Sequence, residues 1–237
     1  MLRSNGSLLC LASLLFHACA SAPPPDTARS VPRQRRQESS SPPDSFAVSG
    51  LRGTLTQQEI QNALEPKLPK LLRCVEQRLG AVEVLAGSIT FSFHVATNGQ
   101  VASVTPTASS LGDRAAERCM LQVAEAVRFP EPHGGEADFA WPLEVPLDPE
   151  LRPPVELRGD LVRDALAAPL SALAARCGGG LAVVTAYVDP DGRVVSVGAA
   201  APDIAGPVQL DCISEGVRGL AFPSPGSYLG KTSFTVP

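Results

Sequence analysis

From Leu51 onward the chain is written twice, and this duplication limits the fold more than any other feature. Leu51-Arg52-Gly53 recurs as Leu157-Arg158-Gly159, and Arg73-Cys74 recurs as Arg176-Cys177. Asn98-Gly99-Gln100-Val101 returns as Asp191-Gly192-Arg193-Val194, Cys119-Met120 as Cys212-Ile213, and Phe129-Pro130-Glu131-Pro132 as Phe222-Pro223-Ser224-Pro225. Each copy is of domain size, larger than a solenoid unit of about 20–50 residues. The expected organisation is two domains, residues 51–147 and 155–237, joined by the short linker Asp148–Pro154.

Thr56-Gln57-Gln58-Glu59 reads as a capping box opening a helix. Ile60, Leu64, Leu68, Leu71, Val75 and Leu79 continue it as a helical stripe, which Pro66 and Pro69 should break or kink. Ile89, Phe91, Phe93 and Val95 alternate with polar residues as a half-buried strand. Asn98-Gly99 is expected to form a type I′ hairpin turn into a return strand over about 100–107. Asp113 can cap a second helix carrying Ala116, Cys119, Met120, Val123 and Val127 on one face. Phe139, Trp141, Leu143 and Val145 alternate as a last strand, and Pro142 within it marks a sheet edge. The order is α-β-β-α-β, an α+β fold in two tandem copies. In the second copy the hairpin surrounds Asp191-Gly192. Its second helix is expected to be short, because Gly216 and Gly219 each cost about 1 kcal/mol against alanine. That copy is expected to be the less stable one.

A further set of residues carries a resemblance. Leu51-Arg52-Gly53, Arg73-Cys74, Gly87, Asn98-Gly99-Gln100-Val101, Ser110-Leu111-Gly112-Asp113, Cys119, Phe129-Pro130-Glu131-Pro132 and Gly134 resemble the AgmX/PglI-type C-terminal domain of bacterial envelope proteins, which is similar to the TonB C-terminal fold. The likeness covers about Leu51–Val145 well and Leu157–Pro237 faintly. Where that family carries an aromatic after the first cysteine, this chain has Val75 and Gly178. The resemblance implies two TonB-C-like, non-enzymatic interaction domains facing the periplasm, the second degenerate.

The N-terminus reads as an export signal, residues 1–18. Arg3 precedes the apolar run Leu8–Phe16, which is shorter than the roughly 20 residues a membrane span needs. Leu14-Leu15-Phe16-His17-Ala18-Cys19 resembles a bacterial lipobox, with Cys19 as the lipidated first residue of the mature chain. Ordinary cleavage after Ala20 or Ala22 is the alternative, giving a soluble periplasmic or secreted protein. Acyl chains on Cys19 would anchor the protein to the outer membrane. Residues 19–50, rich in Pro, Ser and Arg, form an expected disordered tether without the apolar pattern needed to fold. Arg33, Arg35 and Arg36 in it offer a possible peptidoglycan contact. Overall, 20 Lys and Arg against 24 Asp and Glu give a net charge of -4, which argues against a nucleic-acid partner.

Outside the signal and Cys19, the cysteines number two per copy, in a compartment where disulfides persist. Cys74 falls near the end of one helix and Cys119 on the apolar stripe of the next. The expected pairs are Cys74–Cys119 and Cys177–Cys212, each constraining the unfolded chain by about 4 kcal/mol. A thiol-disulfide redox role is the alternative, against which stands the lack of a Cys-x-x-Cys pair. No motif names a reaction, a cofactor or a metal. Ser109-Ser110 has no nucleophile-elbow context, and Asp189-Pro190-Asp191-Gly192 is followed at calcium-loop position 12 by Ala200 rather than Glu. His94 aligns with Tyr187 in the other copy, which fits a surface or sheet-packing role, and His133 falls in a loop. The functional expectation is therefore non-catalytic: an envelope interaction or structural lipoprotein that binds partner proteins by edge-strand addition. The expected edge is Asp138, Phe139, Ala140, Trp141, Leu143 and Val145.

Overall fold

Thr56 closes a capping box: its hydroxyl accepts from the Glu59 amide, and the Glu59 carboxylate accepts from the Thr56 amide at 2.7 Å. Helix α1 (Gln57–Leu64) follows. The two prolines then break the stripe as expected, leaving a 3-10 turn (Glu65–Lys67) before α2 (Leu68–Glu76). The computed structural model describes residues 52–202 and 206–237. The signal sequence, Cys19, the tether with its arginines and Leu51 lie outside the described residues.

Strands β1 (Gly87–Val95) and β2 (Val101–Ser109) form the first hairpin, α3 (Arg114–Glu125) crosses back, and β3 (Ala137–Val145) completes an antiparallel sheet ordered β2-β1-β3. The second repeat has β4 (Val155–Glu156), α4 (Gly159–Ala165), α5 (Ala167–Arg176), β5 (Ala182–Val188), β6 (Val194–Ala200), α6 (Pro207–Arg218) and β7 (Gly230–Val236). Its sheet runs β4-β7-β5-β6, with β4 parallel and the rest antiparallel. The chain is thus mixed α+β with two sheets. Within the first, Ile89, Phe91, Phe93 and Val95 meet Leu71 and Val75 of α2 and Ala116, Met120 and Ala124 of α3. Within the second, Val184, Ala186 and Val188 meet Leu170, Leu173, Leu210, Ile213 and Val217. No described helix is long and apolar enough to cross a membrane.

Both expected disulfides form. Cys74–Cys119 and Cys177–Cys212 each have Cα atoms 5.7 Å apart and close separations of 45 and 35 residues. Each bond ties two helices that share one sheet face, which is why the apolar stripes of the sequence located them.

Local structure departs from expectation in three places. The Gly99 amide donates to the Ala96 carbonyl, and Ala96 in turn donates to Gln100. Thr97 and Asn98 are therefore the central turn residues, and Gly99 follows at φ +75°. This is a three-residue loop with a bulge rather than a type I′ turn; Asp189, Gly192 and Arg193 repeat it. Helix α6 is as long as α3, at 12 residues, and not short. Gly216 lies inside it because a Cβ there would come within 2.1 Å of Leu173 Cδ1: close helix packing outweighs poor helix propensity. The second repeat also carries an additional strand, β4, rather than fewer elements.

The repeats do not stand apart. The described residues form one compact unit. The segment Ser109–Glu117 at one end of the first repeat sits on the outer face of the second sheet. Thr185 donates to the Ser109 carbonyl, Ser196 to the Gly112 carbonyl and the Asp113 carboxylate, and the Ala199 amide to Glu117. Tyr187, fully buried, belongs to the core of the first repeat.

Candidate functional site

The expected edge is a real edge of the first sheet. β3 pairs with β1 from Gly87↔Val145 to Val95↔Ala137 and, among the described residues, has no strand on its other side. Pro142, opposite Thr90, is tolerated because an edge strand has ladder bonds on one side only. The alternation splits the strand cleanly. Asp138, Ala140, Pro142 and Glu144 are exposed, while Ala137, Leu143 and Val145 are buried and Phe139 and Trp141 half-buried. Phe139 stacks on Phe93 at 5.1 Å and Trp141 on Phe91 at 6.1 Å. The aromatic row so fixes the register, since a one-residue slip would turn both rings to solvent.

Beside this strand is a cavity of about 280 Å³ lined by Gln61, Leu64, Glu65, Leu68 and Trp141. It exists because the prolines offset α1 from α2 at Glu65–Lys67. Charge along the edge is acidic. Glu136 and Asp138 are about half exposed, and His94 on β1 bonds Asp138 at 2.8 Å through Nδ1 and lies 3.3 Å from Glu136 through Nε2. His94 is thus held on the outer sheet face by carboxylates. His133 lies across from Glu59, 3.0 Å away. Thr56 hydrogen bonds, backbone first, hold Glu59 below the usual carboxylate range, and His133 adds to them.

A second cluster of polar groups lies between the repeats, and local sequence patterns do not point to it. Asp113 caps α3 through the Ala116 amide at 2.8 Å, as expected, but also accepts from Arg78 at 3.0 Å and Ser196 at 2.8 Å. One turn on, Glu117 is wholly enclosed. It accepts from the Ser109 hydroxyl at 2.7 Å and the Ala199 amide at 3.1 Å. Arg114 Nη1 lies 3.6 Å from it, too far for a hydrogen bond, while Arg114 Nε donates to Asp211 at 2.7 Å. Burial pushes the Glu117 carboxyl up to about 7, against the Ser109 hydroxyl, Arg114 and the Ala199 amide, which favour the charged form. Gly198 makes this approach possible, since a Cβ there would fall 2.2 Å from Glu117 Oε1. A glycine inside a strand is the one sequence signal that marks such a contact.

The matching positions of the first sheet are Thr105 and Pro106, which fill the gap and lack the amide. The matching positions of the second repeat for Asp113 and Glu117 are Gly206 and Leu210. The docking chemistry therefore runs one way, from the first repeat to the second. Burial also raises the Tyr187 hydroxyl to about 12 and lowers Lys231 to about 8. Both bond Ala86: Lys231 donates to its carbonyl at 2.6 Å, and Tyr187 to the same oxygen at 3.2 Å.

Among the described residues, no group of three or more His, Cys, Asp or Glu is placed to hold a metal ion. The four described cysteines are spent in disulfides that join helices. The Asp189 loop is a hairpin, its carboxylate accepting from the Asp191 and Arg193 amides. The chain matches no family model, no curated protein and no solved structure.

Proposed function

We propose that this is a non-catalytic interaction protein of the bacterial envelope, a lipoprotein held by Cys19, whose two TonB-C-like repeats present the free edge of β3 to partner proteins. The observation that carries the reading is that edge. Nine residues, Ala137–Val145, pair on one side only among the described residues, held in one register by Phe139 and Trp141. An added strand gains main-chain hydrogen bonds along that row, while alternate side chains select the partner. The disulfides fit the same reading, since an oxidising compartment preserves them. The test is backbone amide shift mapping of the mature protein against extended peptides. Shifts concentrated over Asp138–Val145 support the reading. Shifts confined to loops, with none over Asp138–Val145, overturn it. Mass analysis of the mature N-terminus tests the anchor: acylated Cys19 supports it, and an unmodified N-terminus at Ser21 or Pro23 overturns it.

A further inference from the structure

The two repeats treat their last strands differently. In the second repeat the leading segment runs along β7. β4 pairs with Gly230 and Lys231, and the Leu157 amide donates to the Lys231 carbonyl at 2.8 Å. Gly159 then presses so close that a Cβ would lie 1.8 Å from the Ser233 carbonyl oxygen. In the first repeat the corresponding glycine, Gly53, packs on Gly135, and the backbone bridge is Arg52↔Glu136. Both contacts lie ahead of β3. Ser233 matches Ala140 in the duplication, and among the described residues nothing pairs with that stretch of β3 on its outer side, whereas the second repeat covers its own. Phe234 shows the consequence: it is 5% exposed, whereas its counterpart Trp141 is half-buried beside the cavity of Leu64 and Leu68.

The open stretch has a definite chemistry. A strand added to β3 would place one row of side chains beside Asp138, Ala140, Pro142 and Glu144, and the other toward Trp141 and the cavity. The first row is acidic, with Glu136 at its head; His94 bonds Asp138 at 2.8 Å and lies 3.3 Å from Glu136. The second row is apolar, with Glu65 at the cavity rim. Cross-strand neighbours of opposite charge attract and like charges repel.

We propose that the free edge of β3 takes an extended segment whose side chains alternate cationic and apolar, one apolar side chain seated between Leu64, Leu68 and Trp141. This rests on the edge-addition reading above and adds the chemistry of the partner. Acidic groups and a proline on an edge also discourage indiscriminate pairing, so the site disfavours neutral strands, rejects acidic ones and admits cationic ones.

Trp141 is the chain's one tryptophan, so the emission of the mature protein reads the site directly. The probes are capped eight-residue peptides with lysine at alternate positions, threonine between them and one central leucine. Companion peptides carry glutamine or glutamate for lysine, threonine for the leucine, or N-methyl groups on alternate amides. The lysine peptide is expected to shift the Trp141 emission to the blue and to bind about ten-fold more tightly than the glutamine peptide. The glutamate peptide should not bind, and loss of the leucine should abolish the emission shift. The Asp138→Asn/Glu144→Gln protein should bind the lysine and glutamine peptides equally. Equal binding of those two peptides by the unmodified protein overturns the cationic partner and leaves edge addition standing. Undiminished binding of the N-methylated peptide overturns edge addition itself. Binding by none of the peptides overturns both.

Discussion

Glu117 makes the stability of this protein depend on pH in an unusual direction. Its carboxyl titrates near 7 in the folded protein against an ordinary value of 4.5, and it has no exposure to solvent. At about 1.36 kcal/mol for each tenfold change in proton affinity, ionising it in place costs roughly 3 kcal/mol. A group whose proton affinity rises on folding contributes its full stability below its unfolded pKa and loses it as pH climbs through the folded one. The protein should therefore weaken by roughly 2.5 kcal/mol between pH 5 and pH 8, where most domains hold steady. Glu117→Gln reproduces the neutral acid: one oxygen accepts from the Ala199 amide, and the amide nitrogen donates to the Ser109 hydroxyl. The variant should lie within about 1 kcal/mol of the unmodified protein at pH 5 and exceed it clearly at pH 8. Denaturant unfolding with the disulfides intact, at pH 5, 6.5 and 8, reads the difference. Lys231 acts in the opposite sense, since burial lowers it to about 8 and its penalty is relieved as pH rises from there toward its ordinary 10.5. Because Lys231 is common to both proteins, the comparison cancels it. Parallel pH profiles for the two proteins would refute the reasoning, as would a glutamine variant less stable at every pH.

Gly198→Ala should cost about 1–3 kcal/mol, as overpacking does, because its Cβ meets the Glu117 carboxylate. Glu117→Ala should relieve part of that cost in a double-mutant cycle by thermal unfolding, and strict additivity would refute the contact. Replacing Cys177 and Cys212 by serine should cost about 4 kcal/mol by the chain-entropy estimate, read as a lower denaturation midpoint. A peptide mass map without reductant should show bonds within each repeat, and a bond between repeats would refute the pairing. Tyr187→Phe removes the hydroxyl bonded to both polar groups of Ala86 and should cost about 1 kcal/mol. Hydrogen exchange at the Ala86 amide should quicken with it.

Much of the local architecture was legible because it follows from short-range rules. The Thr56–Glu59 box, the break at Pro66 and Pro69, the Asp113 cap and the alternation of Phe139 and Trp141 each need only neighbours within a few residues. Pro142 marked the β3 edge for the same reason: a missing amide is a local fact. Pro106 carries the same mark on β2, whose edge meets the second repeat through its own carbonyl, bonded to the Ala201 amide. A proline thus flags an edge without telling an open one from a covered one. The turn at Asn98-Gly99 was misjudged by one position, because a two-residue and a three-residue loop draw on the same residues and only the strand register separates them. Gly216 and Gly219 suggested a weak helix because propensity counts backbone entropy and cannot see Leu173 waiting for the space.

By itself the sequence determined that the chain is doubled, that each copy contains an α-β-β-α-β succession, to which the second adds β4, and which cysteines meet. Periodicity and spacing carry that information along one element at a time. Tertiary structure alone decided that the two copies fuse into one unit, that Glu117 is buried against an amide 82 residues away, and that β3 is left open while β7 is covered. Those outcomes depend on which surface of one repeat fits which surface of the other. Glu117 and Gly198 belong to different patterns, each ordinary in its own helix or strand, and only their meeting in space shuts that carboxyl away from solvent.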